Sequence, residues 1–319
     1  HKHRRRQRQM CIRDRPEATI EKLGDSSGRR PALAKWITSK DNPITARVMM
    51  NRIWQYHFGR GIVRSSSDFG YQGDLPTHPK LLDWLAIRFM ESGWDIKAMH
   101  KLIMASNAYR RSSAPNDDCI NQDPLNNYFW RFDMRRLGSE EVRDSVLAAK
   151  GTINLNIGGP SVTPPLPEII LATASQKGKG WGPSTPEQAN RRSVYVKVKR
   201  SMHMPLLINH DMADTDSTCP VRFTTTVPTQ ALNMLNGQFM NDSAKQFAER
   251  LRQEAGEDIR EQIKRALQIV FSRPLQENEI DQCVAAVNDL MAKHSLNEEE
   301  AMDRFSLLAL NLNEFLYLD

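Results

Sequence analysis

The sequence has few cysteines, and it lacks the spacings in which cysteines hold haem or metal. Its four cysteines are Cys11, Cys119, Cys219 and Cys283, and no two of them form a C-x-x-C pair. The absence of that pair excludes a haem-attachment C-x-x-C-H motif and argues against a disulfide framework. We therefore predict no cofactor in this chain.

Long apolar runs, nucleotide-binding motifs and the motif that carries a serine nucleophile are also missing. No apolar stretch approaches the ~20 residues that span a bilayer. Gly158 and Gly159 belong to neither G-x-G-x-x-G nor a P-loop, and no serine lies in a G-x-S-x-G elbow. These absences exclude a membrane span and leave serine hydrolase and nucleotide-binding functions unsupported.

The excess of positive charge is confined to the first 15 residues. They hold seven Lys or Arg and one Asp, whereas the rest of the chain holds 37 basic and 37 acidic residues. A basic block is typical of a nucleic-acid-binding arm. However, residues 10–15 resemble translated sequencing-adapter read-through, so we expect residues 1–15 to be a non-native leader and predict no nucleic acid partner.

Residues 16–319 are predicted to form a single, mainly α-helical domain. Asn42 followed by Pro43 is typical of a helix start, and Gly59 of a helix end. Apolar residues at a period near 3.6 predict further helices along the chain. After residue 228 these cover about 229–235, 242–255, 257–271, 277–293 and 298–316.

The middle of the chain departs from this helical pattern. Residues 156–190 are rich in glycine and proline and predict a long irregular insert, a loop or lid. Residues 194–200 then alternate apolar and polar side chains, which predicts a small β element. In such a strand Arg192 would lie on the apolar face, where it would either form a buried ion pair with a partner such as Asp211 or Asp214 or bind an anion.

Polar side chains cluster at the end of the helix that follows Asn42. On a helix Gln55 lies one turn from Asn51 and Arg52, so the three share a face. This face is typical of a network that ties the helix to the next loop, and it could also hold a polar ligand. His57, His78 and His100 fall in different predicted elements and form no H-x-x-x-H pair, so no metal site is predicted.

The acidic segment 210–216 can be interpreted in two ways, as a calcium site or as turns and a helix cap. Its carboxylates could bind calcium, but the spacing does not match an EF-hand loop and the glycine of that loop is missing. Asx turns and a helix cap account for the same residues.

Fourteen short strings along the chain occur in the order seen in one known family. They include Asn-Pro-Ile-Thr-Ala-Arg-Val, Arg-Arg-Ser-Val-Tyr and Cys-Pro-Val-Arg, and they lie at 33–37, 42–48, 51–61, 68–70, 77–79, 82–86, 135–137, 140–144, 158–162, 191–195, 219–222, 224–226, 230–232 and 313–317. Over about residues 29–319 the chain resembles the C-terminal domain of planctomycete-specific, cytochrome-c-associated proteins, which is domain of unknown function family 1553.

The resemblance implies an extracytoplasmic, periplasmic protein involved in redox chemistry or glycan use. It also implies partners, namely a cytochrome c module or an upstream planctomycete-specific domain, with haem c held in that separate module of longer relatives. Because this chain shows no export signal, haem motif or upstream domain, we expect it to be a fragment. The oligomeric state is not predicted.

Two hypotheses for function follow. In the first, the chain is an accessory or interaction module of an extracytoplasmic redox or glycan-processing protein. In the second, it is a glycan-acting enzyme with a polar site under the 156–190 loop. The second would use His57 or His78 with Asp68 for acid–base catalysis, and ligand-binding side chains drawn from Asn51, Arg52, Gln55, Arg192, Tyr195, Asp211 and Arg222.

Overall fold

A computed structural model of the protein describes residues 19–22, 24–172, 181–182, 184–200 and 202–319. About 54% of the chain is helical and the sheet is small, which confirms the predicted mainly α class. The chain separates into two compact units. The first comprises the described residues up to Arg135 together with Asp319, and the second runs from Arg136 to Leu318. A single domain over residues 16–319 stays a prediction.

Helices of the first unit are α1 (Arg29–Thr38), α2 (Pro43–Phe58), α3 (Pro79–Glu91), α4 (Ile96–Met104) and α5 (Asp117–Gln122). The predicted start of α2 is confirmed, because the side chain of Asn42 accepts a hydrogen bond from the N–H of Ile44. The predicted end is also confirmed, since Gly59 has a φ of 76° that favours glycine. Helices α2 and α3 pack together, and their buried apolar residues are Ala46, Met50, Ile53, Trp54, Phe58, Leu82, Leu85, Ala86 and Phe89.

The second unit contains the longer helices. Its helices are α6 (Ser139–Ala149), α7 (Glu168–Ala172), α8 (Pro186–Ala189), α9 (Pro205–Asn209), α10 (Pro228–Asn236), α11 (Gln238–Ala255), α12 (Ile259–Phe271), α13 (Glu277–His294), α14 (Glu298–Ala309) and α15 (Asn313–Leu316). Strands β1 (Arg135–Arg136) and β2 (Tyr317–Leu318) pair as a two-stranded sheet. Helix α11 packs against α12 and α14, and its Phe247 and Leu251 are fully buried in the core.

The β element predicted at 194–200 consists of isolated bridges, Val196 with Val162 and Lys199 with Met202, and not of a regular strand. Ser193–Tyr195 is a short 3-10 helix, and Val196 forms only an isolated bridge with Val162. A 3-10 helix has three residues per turn, so side chains do not alternate between two faces as they do in a strand. Val196 is accordingly buried, whereas Val194 is 72% exposed.

The insert at 156–190 contains the short helices α7 and α8 and has an apolar cluster of its own. Val162, Leu166 and Trp181 are buried there with Val196 and Leu207. Residues 173–180 and 183 of the insert lie outside the described residues. In the part of the chain that the structure describes, every helix is too short or too polar to cross a membrane.

Candidate functional site

Asn51 and Gln55 connect α2 to the loop that follows it. Asn51 is fully buried, and its Nδ2 donates to the carbonyl of Val63 over 2.9 Å while its Oδ1 accepts from the N–H of Val63 over 2.8 Å. Oε1 of Gln55 accepts a hydrogen bond from the hydroxyl of Ser66. These are the contacts of a structural network, and Arg52 is exposed on the same helix.

His57 pairs with another histidine. Its Nε2 lies 2.8 Å from Nδ1 of His100, and its ring meets Tyr109 edge-on with centroids 5.3 Å apart. Burial lowers the pKa of His57, and the nearby His100 and Arg135 lower it further. The ring is therefore mostly neutral at pH 7, and its hydrogen-bond partner is an imidazole.

His78 and Asp68 have other partners. Nδ1 of His78 lies 3.0 Å from Oγ1 of Thr77, and burial lowers the pKa of His78. Oδ1 of Asp68 accepts from the N–H of Gly70 over 2.7 Å, which is an Asx turn. An acid–base role for His57 or His78 with Asp68 stays a prediction.

In the second unit, Arg192 does not lie on an apolar face. Its side chain is 56% exposed, and its Nε lies 3.2 Å from Oδ2 of Asp144. The other oxygen of Asp144 accepts from the N–H of Ser193 over 2.7 Å. The predicted pairing with Asp211 or Asp214 is wrong, because the chain turns at Ser193 instead of continuing as a strand.

Tyr195 and the neighbouring Arg191 hold the start of the insert. The hydroxyl of Tyr195 accepts from the N–H of Gly158 over 2.8 Å. The guanidinium of Arg191 lies 3.9 Å from the centre of the Tyr195 ring and donates to the carbonyls of Asn156, Gly158 and Pro160. Both side chains therefore fix the position of the backbone of residues 156–160.

Asp211 anchors the segment that follows it. Its carboxylate accepts from Arg136 over 2.5 Å, from the N–H and the hydroxyl of Thr225 over 2.8 Å each, and from Gln230 over 3.3 Å. Burial would raise the pKa of Asp211, but the hydrogen bonds from Thr225 and the charge of Arg136 outweigh it and lower the pKa. The described residues include no group of three or more His, Cys, Asp or Glu side chains placed to hold a metal ion.

A cleft of about 440 Å³ opens beside this segment, entirely within the second unit. Its lining combines charged, hydroxyl and apolar groups from α6 and from residues 198–222, namely Glu140, Val198, Arg200, Met212, Ala213, Asp214, Thr215 and Arg222. Both guanidinium NH₂ groups of Arg222 donate hydrogen bonds to the carboxylate of Glu140, one of them over 3.0 Å. Arg200 lies 2.6 Å from the carboxylate of Asp216.

The carboxylates that line the cleft are ionised. Burial would raise the pKa of Glu140, but hydrogen bonds from Arg222 and Ser139 outweigh it and lower the pKa. The N–H of Asp216 and the hydroxyl of Ser217 lower the pKa of Asp214. Both carboxylates are thus hydrogen-bond acceptors at neutral pH and not proton donors.

Sequence reasoning missed four polar side chains. Glu140 lines the cleft, and Arg136 pairs with Asp211. Arg143 is buried and donates to the carbonyl of Arg191 and to the hydroxyl of Ser193, and Lys150 is buried beside Phe239. A signal for two of them was present, because Arg143 and Lys150 stand at the i and i+7 positions of the helical stripe that includes Val146 and Leu147. Charged residues on an apolar stripe indicate buried charge.

Comparison with known proteins identifies the family. Neither the curated proteins nor the solved structures include a match to this chain. A family model matches residues 29–287, and its description is PSD1, protein of unknown function (DUF1553). That match covers most of the chain, agrees with the resemblance carried by the motifs, and includes every residue that lines the cleft. The chain therefore belongs to the PSD1 (DUF1553) family.

Proposed function

We propose that this chain is a non-catalytic accessory module of an extracytoplasmic redox or glycan-processing protein, and that the cleft of its second unit binds an uncharged oligosaccharide. The cleft carries the proposal. Its volume is within the usual range for small-molecule sites, and its lining combines apolar Val198 and Met212 with hydrogen-bonding side chains. A sugar ring presents the same mixture of C–H faces and hydroxyl groups.

The state of the carboxylates supports binding over catalysis. Hydrolysis of a glycosidic bond usually needs one carboxylic acid with a raised pKa beside an ionised carboxylate. In the cleft the pKa values of Glu140 and Asp214 are both lowered. Neither can act as the acid near neutral pH, whereas both can accept hydrogen bonds from sugar hydroxyls.

The balance of charge favours an uncharged ligand. Arg222 is paired with Glu140, and Arg200 is paired with Asp216. A sulfate or carboxylate group on the ligand would have to compete with these carboxylates for the two arginines. A neutral oligosaccharide can bind without breaking either ion pair.

The motif resemblance supports the location and the partners that we propose. The resemblance of the motifs to planctomycete-specific, cytochrome-c-associated proteins implies an extracytoplasmic protein, and we propose a cytochrome c module or an upstream planctomycete-specific domain as its partners. Binding of glycan by this unit would hold such an assembly at its substrate.

Calorimetric titration of the whole chain with matched neutral and sulfated oligosaccharides tests the cleft. We expect the neutral ligand to bind more tightly, and Ala213→Trp, which fills the cleft, to weaken its binding at least tenfold. Ala292→Trp on the exposed side of α13 is the matched control and should bind normally. Tighter binding of the sulfated ligand, or no binding at all, would contradict the proposal. Release of reducing ends would favour the glycan-acting enzyme instead.

A further inference from the structure

Lys150 is a buried lysine without an oxygen partner. It follows directly after α6 and is 8% exposed. Its Nζ lies 5.5 Å from the centre of the Phe239 ring. Within the described residues, Nζ makes no hydrogen bond and no ion pair. Most of the side chain is thus removed from water and no ion pair among the described residues compensates its charge, which is costly for the charged form.

A second cation is buried on the same helix. Arg143 is 1% exposed, and its guanidinium carbon lies 5.9 Å from the centre of the same Phe239 ring. Its terminal nitrogens donate to the carbonyls of Ala189 and Arg191 and to the hydroxyl of Ser193. Its Nε is buried with no hydrogen-bond partner among the described residues.

These surroundings increase the fraction of neutral amine. Burial lowers the pKa of Lys150 to about 8, and repulsion from Arg143 contributes to the shift. Asp242 on α11 acts in the opposite direction, and its carboxylate also accepts a hydrogen bond from Gln238 over 2.7 Å. Roughly a tenth of the Lys150 side chains are therefore unprotonated at pH 7 and about half at pH 8.

We propose that Nζ of Lys150 is a carbamylation site that takes up carbon dioxide. The lone pair of the neutral amine attacks the carbon of CO₂ and forms an N–C bond. One C=O electron pair moves onto oxygen, and an N–H proton passes to solvent. The product is a carbamate anion, so the step needs neither oxidant nor reductant.

The electrostatics of the site favour this product. The carbamate replaces repulsion between two buried cations by attraction to Arg143, and its oxygens can accept hydrogen bonds that an ammonium group cannot. Carbon dioxide is small and uncharged, so it suits a side chain with little exposed surface.

Trapping on the intact chain tests the assignment. The protein is equilibrated with ¹³C-labelled bicarbonate and CO₂ at pH 6 and pH 8, treated with a trialkyloxonium salt that esterifies carbamates, and analysed by peptide mass spectrometry. We expect the trapped carboxyl group on Lys150 at pH 8, at several times its level at pH 6. Lys245, an exposed lysine on α11, should be trapped at least several-fold less at pH 8.

Two results would overturn the proposal: no trapped group on Lys150 at pH 8, or equal trapping on Lys150 and Lys245. As a second measurement, ¹³C NMR should show a carbamate resonance that disappears in Lys150→Met and persists in Lys245→Met. Because Lys150→Met alters a buried side chain, the site is assigned on the unmodified chain.

Discussion

Asn51 and Lys150 show that the effect of burial on a polar side chain depends on whether that side chain has a hydrogen-bond partner. Asn51 is fully buried, but both of its polar ends reach the backbone of Val63, so its burial is compensated. Lys150 is almost as buried and has no such partner, so the environment acts on its protonation instead. The first residue stabilises the fold, and the second is available for chemistry.

Replacing Asn51 with alanine tests its structural role. Asn51→Ala leaves the N–H and the carbonyl of Val63 without their partner, and we expect a loss of about 2–3 kcal/mol in the free energy of unfolding. Arg52→Ala, an exposed change on the same helix, should stay within about 0.5 kcal/mol of the parent. Urea unfolding monitored by circular dichroism measures both. Equal stability of the two variants would show that the network is dispensable.

At the scale of elements, Asp211 holds the segment that leads from the cleft to α10. Its own φ is 64°, a left-handed conformation that asparagine and aspartate tolerate better than most residues. From this turn the carboxylate reaches Arg136 at β1 and Thr225 before α10. The segment 212–224 is thereby closed into a loop between two fixed points.

Asp211→Asn keeps the shape of this anchor and removes its charge. The buried Arg136 then lacks its carboxylate, and we expect a loss of about 2–4 kcal/mol at pH 7 together with faster proteolysis between residues 212 and 224. Asp216→Asn, which breaks an exposed ion pair with Arg200, should cost less than about 0.5 kcal/mol.

The difference between parent and Asp211→Asn should depend on pH. The pKa of Asp211 is lower in the folded protein than its ordinary value of 3.8. The stabilisation is therefore complete above about pH 4 and is lost as the pH falls through the lowered pKa. The difference in the free energy of unfolding between the two proteins should therefore shrink as the pH is lowered from 7 to 3, and a constant difference over this range would mean that the carboxylate charge is not involved.

At the scale of the whole molecule, charge separates the first 15 residues from the rest. Those residues account for the whole net charge of +6, and residues 16–319 are neutral overall. Binding to nucleic acid through charge requires an excess of Lys and Arg that displaces counterions from phosphates. The body of the protein has no such excess.

Removal of residues 1–15 tests this separation. We expect the full chain to bind DNA non-specifically through this leader at about 50 mM salt and to lose most of that affinity at about 200 mM, because the interaction is electrostatic. The chain trimmed to residues 16–319 should not bind measurably at either salt concentration. Fluorescence anisotropy with a labelled duplex measures both proteins. Unchanged affinity after trimming would place a nucleic acid site in the folded body.

The sequence by itself determined the local features of this protein. Helix starts such as Asn42 with Pro43 depend on a few adjacent residues, and so they could be located before the structure was known. The 3.6-residue period similarly predicted α10 to α13 within a few residues of their bounds. Family membership also followed from sequence, because ordered motifs need no knowledge of contacts.

Only the tertiary structure decided which polar groups meet. His57 pairs with His100, 43 residues away, and Arg192 pairs with Asp144, 48 residues away. Side-chain periodicity fixes which face a residue occupies only while the element is regular, and the turn at Ser193 broke that condition. Long-range pairing depends on how elements pack, and no spacing along the chain encodes it.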